Sequence, residues 1–341
     1  MQQEPAQKEI CYEVLPQSFI KQKSYCRTIA INNNNSILLV GSQSIIKVYQ
    51  FKQGMMKFIQ NLYKHSKVAT TLNFFSQGNF FSGSDDGQII MWSANLISKA
   101  KYIQSFQNHS KSILCVALNR QENLIVSGSF DTTIKFWNLP FQNLTQWSCS
   151  ETISVHTQPV YGLSMNEENK LITCGYDSLL LVIQFQENTS KWQIKQKIKV
   201  NLWGYRVCFI NNEIFTFQPL LSSHLQIFLL DQTTQTYINS FNLAVKDGGQ
   251  LCSSLFPSTF NSQKSVIINK NGAHVNLIKL NKNQNSLGND KYILKLEQSI
   301  DFGTDLYGIA NIFGTMSKDG NFLVTWDAKT EKIQIRVLKG Q

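Results

Sequence analysis

The chain has 341 residues, 42% hydrophobic and 16% charged, so it can bury a large core without metals or disulfides. Its formal charge is +10, and its seven cysteines are odd in number, scattered and never paired as CxxC, which excludes a disulfide framework or a zinc knuckle and fits a reducing compartment. No segment approaches the roughly 18 apolar residues of a membrane span, and the opening MQQEPAQKE has no apolar h-region, so a soluble, cytoplasmic protein is expected.

Residues 1–23 form an N-terminal segment in which ICYEVL (10–15) can supply a strand. The stretch 24–51 reads as three strands, with Asn32 to Asn35 as a turn, and MMKFIQNL as a fourth. From His65 the pattern sharpens. HSKVATTLNFF leads into FSGSDDGQIIMW, and after KYIQSF the phrase returns as HSKSILCVALN and VSGSFDTTIKFW. Asp86 to Asp131 and Trp92 to Trp137 are each 45 positions apart. A third copy, HTQPVYGLSMN with LITCGYDSLLLVI, places Asp177 46 positions after Asp131, with Ile183 where the tryptophan would be. Weaker copies are LWGYRVCFINNEIFTF (202–217), SVIINKNGAHVNLIKL (265–280) and LYGIANIFGTMSKDGNFLVTWD (306–327), the last with Trp326 in the tryptophan's place. WQIKQKIKV, TYINSFNL, YILKLEQSI and KIQIRVL supply the later fourth strands, and NKNQNSLGND (281–290) reads as a solvated loop tip. Each unit alternates in twos and favours β-branched and aromatic residues between Asn, Gly, Asp and Ser clusters.

A period near 45 residues with four short antiparallel strands per unit resembles the WD40-repeat β-propeller family, most clearly over residues 65 to 137. The fold expected is all-β: seven blades of four antiparallel strands in one domain over 24–341, with either ICYEVL or KIQIRVL as the outer strand that closes the ring. The resemblance implies a buried structural network of His65, Ser82, Asp86 and Trp92, repeated as His109, Ser127, Asp131 and Trp137, and in part as His156, Thr173 and Asp177. The same residue types could build a nucleophilic triad. A catalytic set is needed once, however, not at every repeat.

The resemblance further implies a partner-binding face made by the residue before each turn aspartate, namely Asp85, Phe130 and Tyr176, and by residues beginning the first strands, namely Arg27, Thr70, Leu114, Tyr161, Trp203 and Tyr307. Five of these nine are aromatic, and Tyr, Trp and Arg dominate interface energetics. No metal spacing, phosphate loop or nucleophile elbow occurs, so no metal, cofactor or catalytic residue is expected. The expected function is a non-catalytic scaffold or adaptor for protein or peptide partners. The alternative, from the net charge alone, is a component of an RNA-binding or ribonucleoprotein assembly. Against it, Lys195, Lys197 and Lys199 alternate with apolar residues as on a protected edge strand.

Overall fold

The structure, a computed structural model, describes residues 10–93, 102–139, 146–246, 252–282 and 292–340. Most of the loop expected at 281–290 lies outside them. The described strands form seven four-stranded antiparallel sheets arranged as the blades of a β-propeller. Blade 1 holds β2 (Cys26–Ile31), β3 (Ile37–Ser42), β4 (Ile45–Lys52) and β5 (Met55–Tyr63). Blade 2 holds β6 (Ala69–Phe74), β7 (Phe80–Ser84), β8 (Gln88–Trp92) and β9 (Tyr102–Gln107), and blade 3 holds β10 (Ile113–Leu118), β11 (Leu124–Ser129), β12 (Ile134–Asn138) and β13 (Ser148–Ile153). Blade 4 is β14 (Val160–Met165), β15 (Leu171–Gly175), β16 (Leu179–Gln186) and β17 (Lys191–Lys199); blade 5 is β18 (Arg206–Phe209), β19 (Ile214–Gln218), β20 (His224–Asp231) and β21 (Thr236–Ala244). Blade 6 is β22 (Thr259–Asn261), β23 (Val266–Asn271), β24 (His274–Lys282) and β25 (Tyr292–Asp301). Blade 7 combines β26 (Ile312–Met316), β27 (Phe322–Asp327) and β28 (Lys332–Lys339) with β1 (Cys11–Lys21) from the other end of the chain.

Sequence pattern and position in the blade agree. The second strands β7, β11, β15, β19 and β23 are buried at every residue, because each lies between two neighbouring blades. The fourth strand β17 instead alternates, with Lys191, Gln193, Lys195, Lys197 and Lys199 exposed along the rim. The buried side chains form seven clusters, one at each seam between blades. One of the seven joins Leu38, Val40 and Phe51 of blade 1 to Phe313, Trp326 and Ile333 of blade 7, so the ring is closed by the same apolar packing that joins the other blades.

In blade 7 the open choice of closing strand falls to the N-terminal segment, and the readings of KIQIRVL as a fourth strand and of Trp326 as a third-strand residue are corrected. KIQIRVL is its third strand and residues 11–21 its fourth, pairing from Cys11↔Lys339 to Lys21↔Lys332. Trp326 lies in the second strand and not the third, because the Asp319-Gly320 turn joins β26 to β27 whereas Asn271-Gly272 joins β23 to β24. The indole of Trp326 donates to the backbone oxygen of Gln22 at 2.8 Å, tying the seventh blade to the chain that enters the first.

The outer strands carry a feature that the sequence reading missed. Six of them bulge at the same register, and the residue after the bulge faces the next blade. Gln104 donates to Trp147 O at 2.8 Å and accepts from Trp147 N at 2.9 Å; Gln196 does the same to Tyr237 at 2.8 Å each way, and Gln298 to Tyr12 at 3.0 and 2.7 Å. Glu151, which can only accept, takes Trp192 N at 3.0 Å. A primary amide offers both an N–H donor and a carbonyl acceptor, which is what an unpaired strand edge needs.

Candidate functional site

The repeated Ser-Gly-Ser-x-Asp phrase is explained atom by atom in blade 3. His109 Nε2 lies 2.8 Å from Ser127 Oγ, and Nδ1 lies 2.9 Å from Asp131 Oδ2. Trp137 Nε1 donates to Ser127 Oγ at 2.9 Å. An ionised carboxylate only accepts, so the imidazole proton sits on Nδ1; the serine, already accepting from Trp137, then donates to Nε2, and every group is satisfied with a neutral ring. The second serine, Ser129, accepts from Asp131 N at 3.0 Å and donates to Lys111 O at 3.3 Å, holding the turn. The glycine between them is required by proximity, since a Cβ on Gly128 would lie 2.8 Å from Val160 Cγ1 of the next blade and 2.7 Å from Cys115 Sγ.

Blade 2 repeats the set: His65 Nε2 to Ser82 Oγ at 2.7 Å, Nδ1 to Asp86 Oδ2 at 3.0 Å, and Trp92 Nε1 to Ser82 Oγ at 2.9 Å. In blade 4, His156 bridges Thr173 Oγ1 at 2.8 Å and Asp177 Oδ2 at 2.9 Å, and Ile183 fills the indole's place. Burial alone would raise these three carboxyls, but hydrogen bonds from the histidines outweigh it and hold Asp86 down at about 2, and Asp131 and Asp177 below the ordinary range. Distances alone would fit a serine–histidine–aspartate triad, three times over. Ser82, Ser127 and Thr173 are completely buried, however, and the two serines also hold an indole N–H, so no substrate carbonyl can approach them. In blade 1 the place of the histidine is taken by Gln22, whose amide donates to Ser42 Oγ at 2.8 Å and accepts from Lys47 Nζ at 2.7 Å.

The turns of these networks open onto one face of the ring. Arg27, Thr70, Leu114 and Tyr161 are each the extra residue of a bulge in the first strand of blades 1 to 4, which turns their side chains away from the regular ladder. Arg27 Nη1 is bound to Asp85 Oδ2 at 3.1 Å across blades 1 and 2. Thr70 is only 2% exposed and donates to Ile113 O at 2.6 Å, and Leu114 is buried too; both contribute to the lining of a central cavity rather than to open surface. Trp203 does not begin β18 but stands three residues before it, and the bulge-like place falls to Tyr205. Tyr307 lies in a turn five residues before β26 and is 87% exposed.

What the structure brings together is a group of four rings at the junction of blades 4 and 5. Tyr176 and Trp203 have centroids 4.3 Å apart, Trp203 and Tyr205 5.1 Å, Tyr161 and Tyr205 4.8 Å, and Tyr161 and Trp203 6.0 Å. Tyr176 and the neighbouring Leu202 are exposed, while Tyr161 and Tyr205 reach down to line the cavity. Burial, with Tyr161 beside it, pushes the Tyr205 phenol up to about 12, so at neutral pH the patch is uncharged. Phe130 is exposed on blade 3, with Lys111 Nζ 5.5 Å above its ring. Tyr205 escaped sequence reading because the alignment of LWG with VYG set the blade 5 register two residues early. Among the described residues no group of histidine, cysteine and carboxylate side chains is placed to hold a metal ion, and no helix is long and apolar enough to cross a membrane.

Comparison with known proteins places these features in context. The family described as "WD domain, G-beta repeat" matches residues 56–93, 100–138 and 147–183. Each match ends on, or one residue past, the third strand of a blade, blades 2, 3 and 4, which are the three that carry the histidine network. Among curated proteins, a ribosome biogenesis protein WDR12 homolog from Aedes aegypti is 24% identical over 123 residues, 31% of this chain and 29% of that protein. Meiotic fizzy-related protein 1 of Schizosaccharomyces pombe is 24% identical over 189 residues, 52% and 42%. A probable coatomer subunit beta' of the same yeast is 22% identical over 170 residues, 48% and 20%. The chain spans less than half the length of each of these relatives.

Proposed function

From a chain that carries WD40 repeats on a seven-bladed propeller, we propose a non-catalytic scaffold that docks protein or peptide partners on the face bearing the turns of blades 2 to 5. The observation that carries this reading is the contact group Tyr161, Tyr176, Trp203 and Tyr205, half open to solvent and set on a rigid frame. Rings of this kind lose little side-chain entropy on binding and bury much apolar area, which makes them anchors of affinity. Phe130 exposes a further ring on blade 3, Tyr307 another ahead of blade 7, and the Arg27–Asp85 pair sets a polar border across blades 1 and 2. The names of the relatives, a ribosome biogenesis protein, a meiotic fizzy-related protein and a probable coatomer subunit, support a role within larger assemblies without choosing one. The work of such a protein is positional: it holds partners at fixed geometry and raises their effective concentration.

The test is affinity capture from native extract with quantitative mass spectrometry, comparing the wild-type chain with a Tyr176→Ala, Trp203→Ala variant. Loss of anchors costing about 2 kcal/mol or more predicts at least a roughly thirtyfold fall in retention of the principal partner. The melting temperature should stay nearly constant, because the hydrogen-bonded networks and the seam clusters are untouched. Undiminished partner retention would remove the assignment of this face.

A further inference from the structure

Lys270 is an anomaly in β23. It is fully buried, at 0% exposure, in a second strand otherwise made of apolar residues and asparagines. Its Nζ donates to Cys252 Sγ at 2.8 Å, to Ala310 O at 2.9 Å and to Ser253 Oγ at 3.2 Å. A second cation, Arg206 of β18, closes on the same segment, with Nη2 on Ser253 O at 2.6 Å and Nε on Phe256 O at 2.7 Å. Two buried cations therefore converge on residues 252 to 256, and among the described residues neither has a carboxylate partner. An uncompensated buried charge is strongly unfavourable, and the sulfur of Cys252 is the group in contact that can carry the balancing negative charge. Burial taken alone would raise the thiol, but the fields of Arg206 and Lys270 outweigh it and shift Cys252 toward thiolate. Burial likewise lowers Lys270, against the pull of Cys252, toward the neutral amine.

A nucleophilic sulfur and a nitrogen able to lose its proton are thus held at hydrogen-bond distance inside a rigid ring. We propose that Cys252 and Lys270 form an oxidative modification site, at which a peroxide joins Sγ to Nζ as a reversible sulfenamide. The thiolate attacks one peroxide oxygen; the O–O bond breaks, an S–OH bond forms, and the departing hydroxide takes a proton from the Lys270 ammonium and leaves as water, which frees the amine. The Lys270 nitrogen then attacks the sulfur: the S–N bond forms, the S–O bond breaks, and the departing hydroxide takes the nitrogen's proton as a second water. Sulfur is oxidised by two electrons and one peroxide is reduced, with no other reactant. Sulfenic acids condense in this way with a backbone nitrogen, and here the Lys270 amine takes that nitrogen's part. The link would fasten the entry to blade 6 onto its second strand beside the seam with blade 7, where Cys252 already pairs with Ala310.

The experiment treats the reduced full chain with one equivalent of hydrogen peroxide at neutral pH and maps peptides without reductant. The expected result is a single species containing the Cys252 and Lys270 peptides, lighter than their sum by two hydrogens and separated again by dithiothreitol. The same treatment in concentrated urea should give no such species, because the contact depends on the fold. Lys270→Arg keeps the charge and should convert the product to a dimedone-reactive sulfenic acid at Cys252; Cys252→Ser should abolish it. The proposal fails if the folded wild-type chain gives unlinked peptides, with Cys252 unreacted or carried to sulfinic acid. It fails equally if the link retains an oxygen atom or forms as readily in urea.

Discussion

Replacing Asp131 with Ala removes the group on which the blade 3 network ends. The carboxylate accepts from His109 Nδ1 at 2.9 Å, from Ser110 N and Thr133 N at 3.0 Å each, and from Thr133 Oγ1 at 2.6 Å. Ser110 is exposed, so its amide can turn to water. The decisive loss is at His109, whose side chain has no solvent exposure and whose Nδ1 proton is then left with Thr133 Oγ1, 3.3 Å away, as its nearest acceptor. Leaving a buried donor without its charged acceptor costs about 1–3 kcal/mol, and the loss of four accepted bonds, only partly offset by Thr133, puts Asp131→Ala near the upper end. With an unfolding entropy of ~2.1 cal/mol/K per residue, about 3 kcal/mol corresponds to a fall of roughly 4 °C in the melting temperature of a chain of 341 residues. Scanning calorimetry on wild type and variant at one scan rate reads this directly, with exposed Glu167→Ala as the control expected within about 0.5 kcal/mol of wild type. If Asp131→Ala melts within about 1 °C of that control, the network does not hold the blade and the structural role assigned to it is wrong.

Two further outcomes follow from the same geometry. The folded values of Asp86, Asp131 and Asp177 lie below the ordinary 3.8, so their contribution is complete above about pH 4 and is lost as pH falls through the folded values. Melting temperature against pH should therefore decline below about pH 4, and more shallowly in Asp131→Ala; parallel curves would contradict this. Gln196→Met keeps the side-chain length but loses both bonds to Tyr237, costing about 1–2 kcal/mol, whereas Gln193→Met on the exposed side of the same strand should be silent. Equal melting temperatures for the two variants would show that the rim amide contributes nothing.

The first half of the ring was legible because its polar residues need one another. A buried His-Ser-Asp-Trp set cannot drift independently, so its spacing survives as a visible period. Blade 5 solves the same packing problem with Phe215 and Phe228 stacked 4.6 Å apart, and any large apolar residue looks similar in sequence. Blade 6 relies on buried amides, Asn269 donating to Gln218 Oε1 at 2.8 Å and accepting from Ser258 Oγ, a pairing between distant residues that no local spacing announces. Trp326 misled because a lone indole reads the same in a second strand as in a third. The closing strand was hidden for a related reason: β1 and β28 both alternate and both suit a rim, and only their mutual register decides which is outermost. At the proposed docking face, the bulged positions of blades 1 to 4 were legible as strand beginnings, but Thr70 and Leu114 showed no sign of turning inward.

The pairing of β1 with β28 joins residues more than three hundred positions apart, between Cys11 and Lys339. During translation the segment that becomes β1 must wait, unpaired, while six blades are produced behind it, and the apolar flank of blade 1 stays wet for as long. Folding therefore cannot finish vectorially; the final seam can zip only after β28 has left the exit tunnel. A ribosome stalled before that point would display an open crescent with two sticky ends, the form of this chain most in need of a chaperone.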